Sequence, residues 1–551
     1  MAAISNEILI VGGGPSGLLL AHELLRRRIP VRIIEKRPGP SHTSRAMTIH
    51  ARSMEMFDHM GLANRLEEVC LECPGNIYHF PQLSEDKCPR TDYRPLPTRY
   101  PFYYKTSQND FELALRELML SKYSIAPEYQ TELVALKQHA QVATATIRHP
   151  DGTTAATEYP WVVGCDGVHS FVRNAAGIKF EGDTVAVMSM ADLELKSVNF
   201  DDRWMNYYFN EDLFMNCTKM PGKLWRVYMS EPTGNYVFAK DQNKAYQEVA
   251  DKLGIGFEVG RMYWQTAWNV RNHIAETYRA GRMLICGDSS HVHSPSGGQG
   301  MNGCMQDAFN LGWKLAAVYK KQASETILDS YEHERKPIGK QISEGAMSTH
   351  EIVMGFGIPP EDRLHLTREP GWEWRTVNLV SGLSHNYRSV SNLPKNLTPV
   401  PGPQAGDRAP DALLIQEPKR RIYDVFRRPQ FSLIVAPGTA TTDVVDIGAT
   451  VRDEMDRLFP GQVSTYLIIN ADSTDPRFDF DHQSLDELDE FTQRYEIGSE
   501  GRLVLVRPDL YIGMACLPGE WEEIVQYMKQ WFLAPQETGE SRETNRKMSS
   551  L

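Results

Sequence analysis

The chain has 551 residues, of which 41% are hydrophobic and 24% charged, with a formal net charge of −12 and eight cysteines. This length favours two to four structural units, and no stretch approaches the roughly 20 apolar residues that a membrane span needs. The acidic balance, without a basic cluster, argues against nucleic acid or a membrane as a partner and favours small-molecule chemistry. Scattered cysteines predict reduced thiols, and an N-terminus without a signal-like leader makes the cytoplasm the expected location.

The first predicted unit is a strand, a glycine-rich turn, a helix and a second strand. A short apolar run at 7–11 leads into the turn at 12–17, a helical pattern follows over 18–28, and an apolar run at 31–35 forms the second strand. This order of elements is typical of a Rossmann-like dinucleotide-binding unit.

The turn carries the glycine pattern of such a unit. Gly12, Gly14 and Gly17 fit G-x-G-x-x-G, in which the glycines allow a tight turn, backbone approach to a pyrophosphate, and close packing of helix on strand. Glu35 ends the second strand, where its carboxylate can bind both ribose hydroxyls and would repel a 2′-phosphate. The site therefore suits FAD or NAD, and the pattern does not separate them. The predicted set also includes Pro15, Ser16 and Lys36.

The middle of the chain predicts an inserted sheet. Alternating residues around a His-Pro-Asp-Gly turn predict a hairpin within 141–164. Residues 182–280 are rich in aromatic and β-branched side chains, which favours a sheet whose face could line a substrate cavity. A buried strand at 283–286 and a helix over about 302–320 then return the chain to the nucleotide-binding domain.

One C-x-x-C pair, Cys70 and Cys73, precedes this sheet. No second pair and no histidine pair accompany it, so we interpret it as part of an ordinary helix-to-loop segment. No metal site is predicted.

The last third of the chain predicts a separate unit. A proline-rich passage at 393–403 is typical of a linker. Strands at 431–436, 463–470 and 503–506, with an amphipathic helix at 520–533, then predict a small α/β domain.

Several motifs occur in the order of a known family. Residues 287–302, GDSSHVHSPSGGQGMN, closely resemble the second FAD motif of the class A flavoprotein aromatic hydroxylases. Residues 164–173, GCDGVHSFVR, resemble the Asp-Gly motif of that family, and 44–55 resemble the segment that follows its acidic ribose ligand. Sequences at 406–410 and 506–509 are similar to the phenol hydroxylase and polyketide hydroxylase subgroup, which carries a C-terminal thioredoxin-like domain.

This resemblance implies tightly bound FAD and gives roles to individual residues. Asp288 would accept hydrogen bonds from ribityl hydroxyls, although a capping role is the alternative. Gly298, Gly300 and the start of the following helix would bring backbone N–H groups to the pyrimidine edge of the flavin, unless they form a plain glycine loop. Pro295 would face the reactive edge of the ring. The other implied cofactor-binding residues are Arg45, Gln108, Asp166, Gly287, Met301 and Asn302.

Gln108 and two histidines of the second motif each have an alternative role. Gln108 would lie near the flavin, or else cap the helix predicted over 110–120. The histidines of the second motif, His291 and His293, are interpreted as structural rather than as proton carriers.

The resulting fold class is α/β: a Rossmann-like FAD-binding domain with an inserted mixed β-sheet substrate domain and a C-terminal thioredoxin-like α/β domain. The thioredoxin-like domain has no C-x-x-C, so we expect it to pack or to form a homodimer rather than to do redox chemistry. The predicted division assigns 1–75, 101–181 and 281–355 to the FAD-binding domain, 76–100 and 182–280 to the substrate domain, 356–400 to a helical region and linker, 401–534 to the thioredoxin-like domain, and 535–551 to a disordered tail.

The resemblance implies an NAD(P)H-dependent FAD monooxygenase. NADH or NADPH would bind transiently and reduce FAD, O₂ would add to give a flavin hydroperoxide, and one oxygen atom would pass to an aromatic or polyketide-like small molecule. Epoxidation, dearomatisation or Baeyer-Villiger-type insertion would use the same framework. An NAD-linked dehydrogenase and an inactive flavin-binding scaffold are the more distant alternatives.

The sequence gives fewer signals for the substrate-binding residues than for the cofactor-binding ones. Arg226 and Tyr228 are the catalytic candidates, because they match positions where the family faces flavin or substrate and could stabilise a phenolate. The alternative is a surface arginine beside a packed strand tyrosine. Met47 and Thr48 occupy the neighbourhood where phenol hydroxylases carry an acidic residue. Any base therefore lies elsewhere, or the substrate is acidic enough to need none.

Overall fold

The computed structural model describes residues 3–41, 46–390, 397–438, 441–470 and 483–533. Arg45, part of the predicted linker and the predicted tail lie outside these ranges. Within them, no helix is long and apolar enough to cross a membrane.

The nucleotide-binding sheet has five strands whose inner members are parallel. Ile8, Leu9 and Ile10 on an inner strand have no exposed surface, because helices cover a parallel sheet on both faces. The spatial order is Arg279–Ala280, Met283–Ile285, Val162–Gly164, Ile8–Val11 and Val31–Ile34. The long helices of this domain are Pro15–Leu25, Gln108–Tyr123, Gly300–Tyr319 and Asp329–Met354.

The predicted hairpin belongs to a four-stranded sheet beside this domain, with the order Ala3–Ile4, Thr154–Tyr159, Ala143–Arg148 and Glu132–Gln138. A three-stranded sheet joins Thr48–Ile49, Tyr103–Lys105 and Leu71–Cys73. Our interpretation of Cys70 and Cys73 as a helix-to-loop segment was therefore wrong, because pairing with Tyr103–Lys105 extends the backbone into a strand.

The inserted domain is an eight-stranded mixed sheet. Its two longest strands, Phe180–Lys196 and Glu258–Ala275, are antiparallel, whereas Met205–Phe209 and Gly75–His79 are parallel. The helix Gln242–Lys252 packs against it. The strand order is His291–Val292, Glu258–Ala275, Phe180–Lys196, Trp225–Ser230, Phe214–Lys219, Met205–Phe209, Gly75–His79 and Arg90–Asp92.

The C-terminal domain has a five-stranded sheet of thioredoxin-like arrangement, with three parallel strands followed by two antiparallel ones. Helices Thr441–Leu458 and Trp521–Trp531 pack on it. The order is Gln483–Asp486, Val463–Asn470, Phe431–Ala436, Arg502–Val506 and Ile512–Cys516. The shorter elements are helices Ala51–His59, Ala63–Glu67, Phe171–Ala175, Pro360–Arg363, Trp372–Ser381, Ile422–Val425 and Glu490–Arg494, and the paired strands Leu413–Ile415 and Arg420–Arg421.

Buried ion pairs join the C-terminal domain to the nucleotide-binding domain. Arg408 donates two hydrogen bonds to Glu55, at 2.9 and 3.0 Å. Arg507 donates two to Glu334, at 2.7 and 2.8 Å. Charges removed from water in this way require a fixed partner. The C-terminal domain therefore packs firmly on the rest of the chain.

Candidate active site and cofactor cavity

A cavity of about 360 Å³ lies between the glycine turn, the start of helix Gly300–Tyr319 and the aromatic sheet. The fold brings these three regions together although they are far apart in sequence. Of the residues predicted from sequence, the cavity wall contains Pro15, Ser16, Gln108, Tyr228, Asp288, Pro295, Gly298, Gly300 and Met301.

The glycine turn has room for a phosphate group. A Cβ on Gly12, whose φ is +112°, would lie 2.2 Å from the carbonyl oxygen of Cys165, and one on Gly17 would lie 2.0 Å from that of Gly12. A Cβ on Gly14 would meet nothing within 4 Å. Close packing therefore requires two of the glycines, and the third faces open space at the start of helix Pro15–Leu25, where free N–H groups can bind a pyrophosphate.

Glu35 is held in place by hydrogen bonds at the end of its strand. Its Oε2 accepts from the Gly13 N–H at 3.0 Å and from Arg37 Nη2 at 2.9 Å. Burial by itself would raise the pKa of Glu35, but the hydrogen bonds and charge of Arg37 hold that pKa below its usual value. Sequence reasoning named Lys36, which is exposed, and missed Arg37. A cofactor role for Lys36 stays a prediction.

Asp288 follows the strand Met283–Ile285 and is exposed to the cavity. The Cys304 thiol donates to its Oδ1 at 3.2 Å. Gly287 has a φ of +70°, and a Cβ there would lie 2.4 Å from Ser16 Oγ. Only glycine therefore fits at this turn. A role for the Asp288 carboxylate as acceptor from ribityl hydroxyls stays a prediction.

Asp166 is not on the cavity wall. Its Oδ2 accepts from the N–H groups of Phe171 and Val172 at 2.7 and 3.1 Å, which ties it to the helix Phe171–Ala175. Burial raises its pKa, and its buried Oδ1 has no hydrogen-bond partner among the described residues. A direct cofactor contact from Asp166 stays a prediction.

The start of helix Gly300–Tyr319 presents backbone donors to the cavity. Its first intrahelical bond is from the Gly303 N–H to the Gln299 carbonyl at 2.8 Å, so the N–H groups of the first turn have no intrahelical partner. The expectation that Gly298 also presents its N–H was wrong, because this group donates to the Pro295 carbonyl at 2.9 Å to close a turn. Asn302 lies off the wall, and its side chain bonds to Thr48 and Gly298 backbone.

Gln108 begins the helix Gln108–Tyr123 and lines the cavity. Its Oε1 accepts from the Ala46 N–H at 3.5 Å, and its Nε2 donates to Glu112 at 2.8 Å. The capping alternative was wrong, because Ser107 caps this helix by accepting from the Asp110 N–H.

Arg226 and Tyr228 differ in where they lie. Arg226 is fully buried and off the cavity wall, so its interpretation as a surface arginine was wrong. It donates to Asp192 at 2.7 Å from both Nε and Nη2, and to the Ala46 carbonyl at 2.7 Å. Tyr228 is on the wall, with its ring edge-on to Trp268 at 6.4 Å. Burial raises the pKa of Tyr228 to about 12, although the charge of Arg226 opposes this.

The two histidines of the second motif have structural contacts. His291 Nε2 lies 2.8 Å from Asp307, whose other oxygen accepts from Arg335 at 2.7 Å. His293 lines the cavity, and its Nδ1 lies 2.9 Å from the Ser294 carbonyl. Burial lowers the pKa of His293 to about 4, so the ring is neutral at neutral pH.

Comparison with known proteins decides the family. A family model described as an FAD binding domain matches residues 5–346. Pentachlorophenol 4-monooxygenase from Sphingobium chlorophenolicum is 38% identical over 508 residues, which cover 92% of this chain and 93% of that protein. The chain belongs to the class A FAD-dependent aromatic hydroxylases. It is an FAD monooxygenase that uses NAD(P)H and hydroxylates an aromatic or polyketide-like small molecule.

Other known proteins are similar to this hydroxylase in sequence or in fold. The 6-methylpretetramide 4-monooxygenase of Streptomyces rimosus is 35% identical over 355 residues, 63% of this chain and 62% of that protein. The anhydrotetracycline hydroxylase OxyS from Streptomyces rimosus has the same fold, with a TM-score of 0.74, 24% identity, and coverage of 96% of this chain and 99% of that chain. Aklavinone-11 hydroxylase, solved with FAD and aklavinone, has a TM-score of 0.74 at 22% identity and the same coverage. The predicted fold class is confirmed.

Proposed function

We propose that this hydroxylase acts on a phenol that is already ionised at neutral pH, with O₂ as the source of the new oxygen atom. The observation that carries this proposal is the composition of the cavity wall. Among the described residues that line it, the one carboxylate is Asp288, which lies beside Ser16 and Cys304 at the nucleotide-binding end. The wall residues from the aromatic sheet include no carboxylate that could remove a phenolic proton.

Tyr228 is one group on that wall suited to bind a phenolate oxygen. Because burial raises its pKa to about 12, its hydroxyl stays protonated at neutral pH and can donate a hydrogen bond. The charge of Arg226 and a hydrogen bond from it lower the same pKa, against the larger effect of burial. In this proposal Tyr228 binds the substrate, and Arg226 positions Tyr228.

Part of the wall supports a flat apolar ligand. Trp268, Val270, Val292 and Met47 line the cavity together with Pro295. Such side chains exclude water from the reacting atoms. When bound, FAD reduced by NAD(P)H supplies the activation of oxygen.

The relatives support an acidic phenol. Pentachlorophenol 4-monooxygenase matches 92% of this chain, and its name specifies a phenol whose five chlorine atoms withdraw electron density and make the hydroxyl acidic. A phenol of this kind needs no carboxylate base in the protein, which agrees with the wall residues from the aromatic sheet.

Product analysis under ¹⁸O₂ tests the proposal. We expect 2,4,6-trichlorophenol to give a product with one labelled oxygen atom, and unsubstituted phenol to react with a much lower kcat/KM at neutral pH. Raising the pH toward the pKa of phenol should narrow this difference. Equal kcat/KM values at every pH, or a product without the label, would overturn the proposal.

We further propose that the enzyme works in the cytoplasm. All eight cysteines are free, and seven of them are buried. Free thiols are typical of a reducing compartment. Recovery of the activity in a membrane or secreted fraction after cell fractionation would contradict this location.

A further inference from the structure

The carbonyl oxygen of Gly298 accepts three hydrogen bonds. The donors are His50 Nε2 at 2.9 Å, Asn302 Nδ2 at 3.0 Å and Thr48 Oγ1 at 3.3 Å. Thr48 lies 250 positions earlier in the chain. Gly298 has a φ of +66°, and a Cβ there would lie 2.4 Å from Thr48 Oγ1. This peptide group is therefore fixed both by its donors and by close packing.

His50 can act here only as a donor. Burial lowers its pKa to about 4, so the ring carries a single proton at neutral pH. Because a carbonyl oxygen can only accept, that proton is on Nε2. Nδ1 is buried and has no hydrogen-bond partner among the described residues. The ring packs edge-on against Tyr103 at 4.7 Å, which fixes its direction.

Asn302 is oriented by the same segment. Its Oδ1 accepts from the His50 N–H at 2.9 Å and from Ser53 Oγ at 2.8 Å. The amide nitrogen must then face the other way, where it donates to Gly298 and to the Thr48 carbonyl. His50 therefore supports the Gly298 carbonyl both directly and through Asn302.

The direction of this carbonyl sets the direction of the next amide. In a trans peptide the C=O and N–H groups point to opposite sides, so the Gln299 N–H points away from the three donors. Gly298 and Gly300, on either side of it, both line the cavity. If this peptide flipped, the Gly298 carbonyl oxygen would replace the Gln299 N–H as the group facing away from the three donors. A donor would be lost near the start of helix Gly300–Tyr319, where free N–H groups favour a negatively charged ligand.

We propose that His50 is a positioning residue which, with Thr48 and Asn302, fixes the direction of the Gly298 carbonyl and keeps backbone donors facing the pyrimidine edge of FAD. Negative charge collects at that edge when flavin is reduced, so the arrangement favours reduced over oxidised FAD. The inference rests on FAD binding in this cavity and not on the identity of the phenol.

The midpoint potential of the bound FAD tests this role. We expect His50→Leu to weaken binding of reduced FAD relative to oxidised FAD about tenfold, which lowers the two-electron potential by about 30 mV. His50→Gln keeps a donor near the position of Nε2 and should restore most of the potential. His59→Leu is the control, because His59 is also buried, in the helix after His50, but its ring packs against Phe309 and not against Gly298.

Each outcome decides the proposal. A folded His50→Leu protein with the potential of the wild type, or with a fall that His59→Leu reproduces or His50→Gln does not repair, would overturn it. If His50→Leu does not fold, Thr48→Val removes one donor and should lower the potential by a smaller amount. A shifted potential in an enzyme that hydroxylates no phenol would contradict the proposed substrate and leave the role of His50 supported.

Discussion

Arg226 and Asp192 are direct cross-strand partners joined by two hydrogen bonds of 2.7 Å each. Arg226 has no exposed surface, and the side chain of Asp192 is 12% exposed. The guanidinium is thus already paired before any substrate binds. Its charge supports Tyr228 and the Ala46 carbonyl rather than a ligand in the cavity.

Replacing Arg226 by methionine should destabilise the protein. The change leaves the mostly buried Asp192 without its cation, and breaking a buried pair in this way costs about 3–5 kcal/mol. Urea unfolding of the apoprotein measures the loss. The double variant Arg226→Met with Asp192→Leu removes both charges and should recover much of it. Equal losses in the single and double variants would show that the ion pair is not the cause.

Replacing Tyr228 by phenylalanine should impair substrate binding and turnover without unfolding the protein. Loss of a hydrogen bond to a phenolate oxygen should lower kcat/KM for trichlorophenol by roughly 10- to 100-fold. Steady-state kinetics at neutral pH measure the effect. Tyr263→Phe is the matched control, because Tyr263 is on the same sheet but is 50% exposed. An unchanged kcat/KM in Tyr228→Phe would rule out the proposed contact.

Two alanine substitutions in the glycine turn should affect different properties, one the binding of FAD and the other the stability of the apoprotein. Gly14 has a φ of −84° and open space at its Cβ, so Gly14→Ala should fold normally but bind FAD more weakly, by roughly tenfold or more, because the methyl group occupies the phosphate position. Gly12→Ala meets the Cys165 carbonyl and should destabilise the apoprotein itself. FAD titration and thermal unfolding separate the two effects. Tight FAD binding by Gly14→Ala would place the pyrophosphate elsewhere.

Glu334→Gln should weaken the packing of the C-terminal domain. Glu334 accepts from Arg507 and, at 2.7 Å, from Lys314. Its loss leaves Lys314 without a carboxylate and Arg507 with Asp509 alone, at a cost of about 3–5 kcal/mol. Urea unfolding and limited proteolysis should show the change. Glu344→Gln is the control on the same helix, because Glu344 pairs with Lys340 at the surface. Equal stability of both variants would contradict the role of the buried network.

Lowering the pH should destabilise the fold through buried histidines. Burial lowers the pKa of His22 and His50 to about 4, below the usual value of 6.5. Between these values the unfolded chain binds protons that the folded chain does not, so stability is full above about pH 6.5 and falls as the pH drops toward 4. His22→Gln should reduce the loss of unfolding free energy at about pH 5 by about 2 kcal/mol. An unchanged loss of unfolding free energy would show that His22 does not contribute to the acid destabilisation.

The local chemistry of the cofactor site could be predicted from the sequence. The glycine turn before helix Pro15–Leu25 and the turn at Gly287 and Asp288 are short patterns whose backbone requirements act within a few residues. Their prediction needed no knowledge of distant neighbours. The aromatic and β-branched composition of 182–280 likewise predicted a sheet, because the preference for strands depends on residue type.

Contacts between distant segments could not be predicted in this way. Arg226 and Tyr228 are two positions apart on one strand, so alternation puts both on the same face. Only Tyr228 reaches the cavity wall, because Asp192, from a strand 34 positions away, and Ala46 bind the guanidinium. His50 was part of a recognised segment but was not singled out, since its partner lies 248 positions later.

The sequence by itself determined a dinucleotide-binding unit, because the glycine turn and the acidic strand end are short-range backbone patterns, and the resemblance of residues 287–302 to a known family specified FAD. Only the tertiary structure decided which polar groups face the cavity and which are paired with one another. A hydrogen bond between buried side chains depends on the register of neighbouring strands and on the packing of helices, and neither is encoded in the local order of residues.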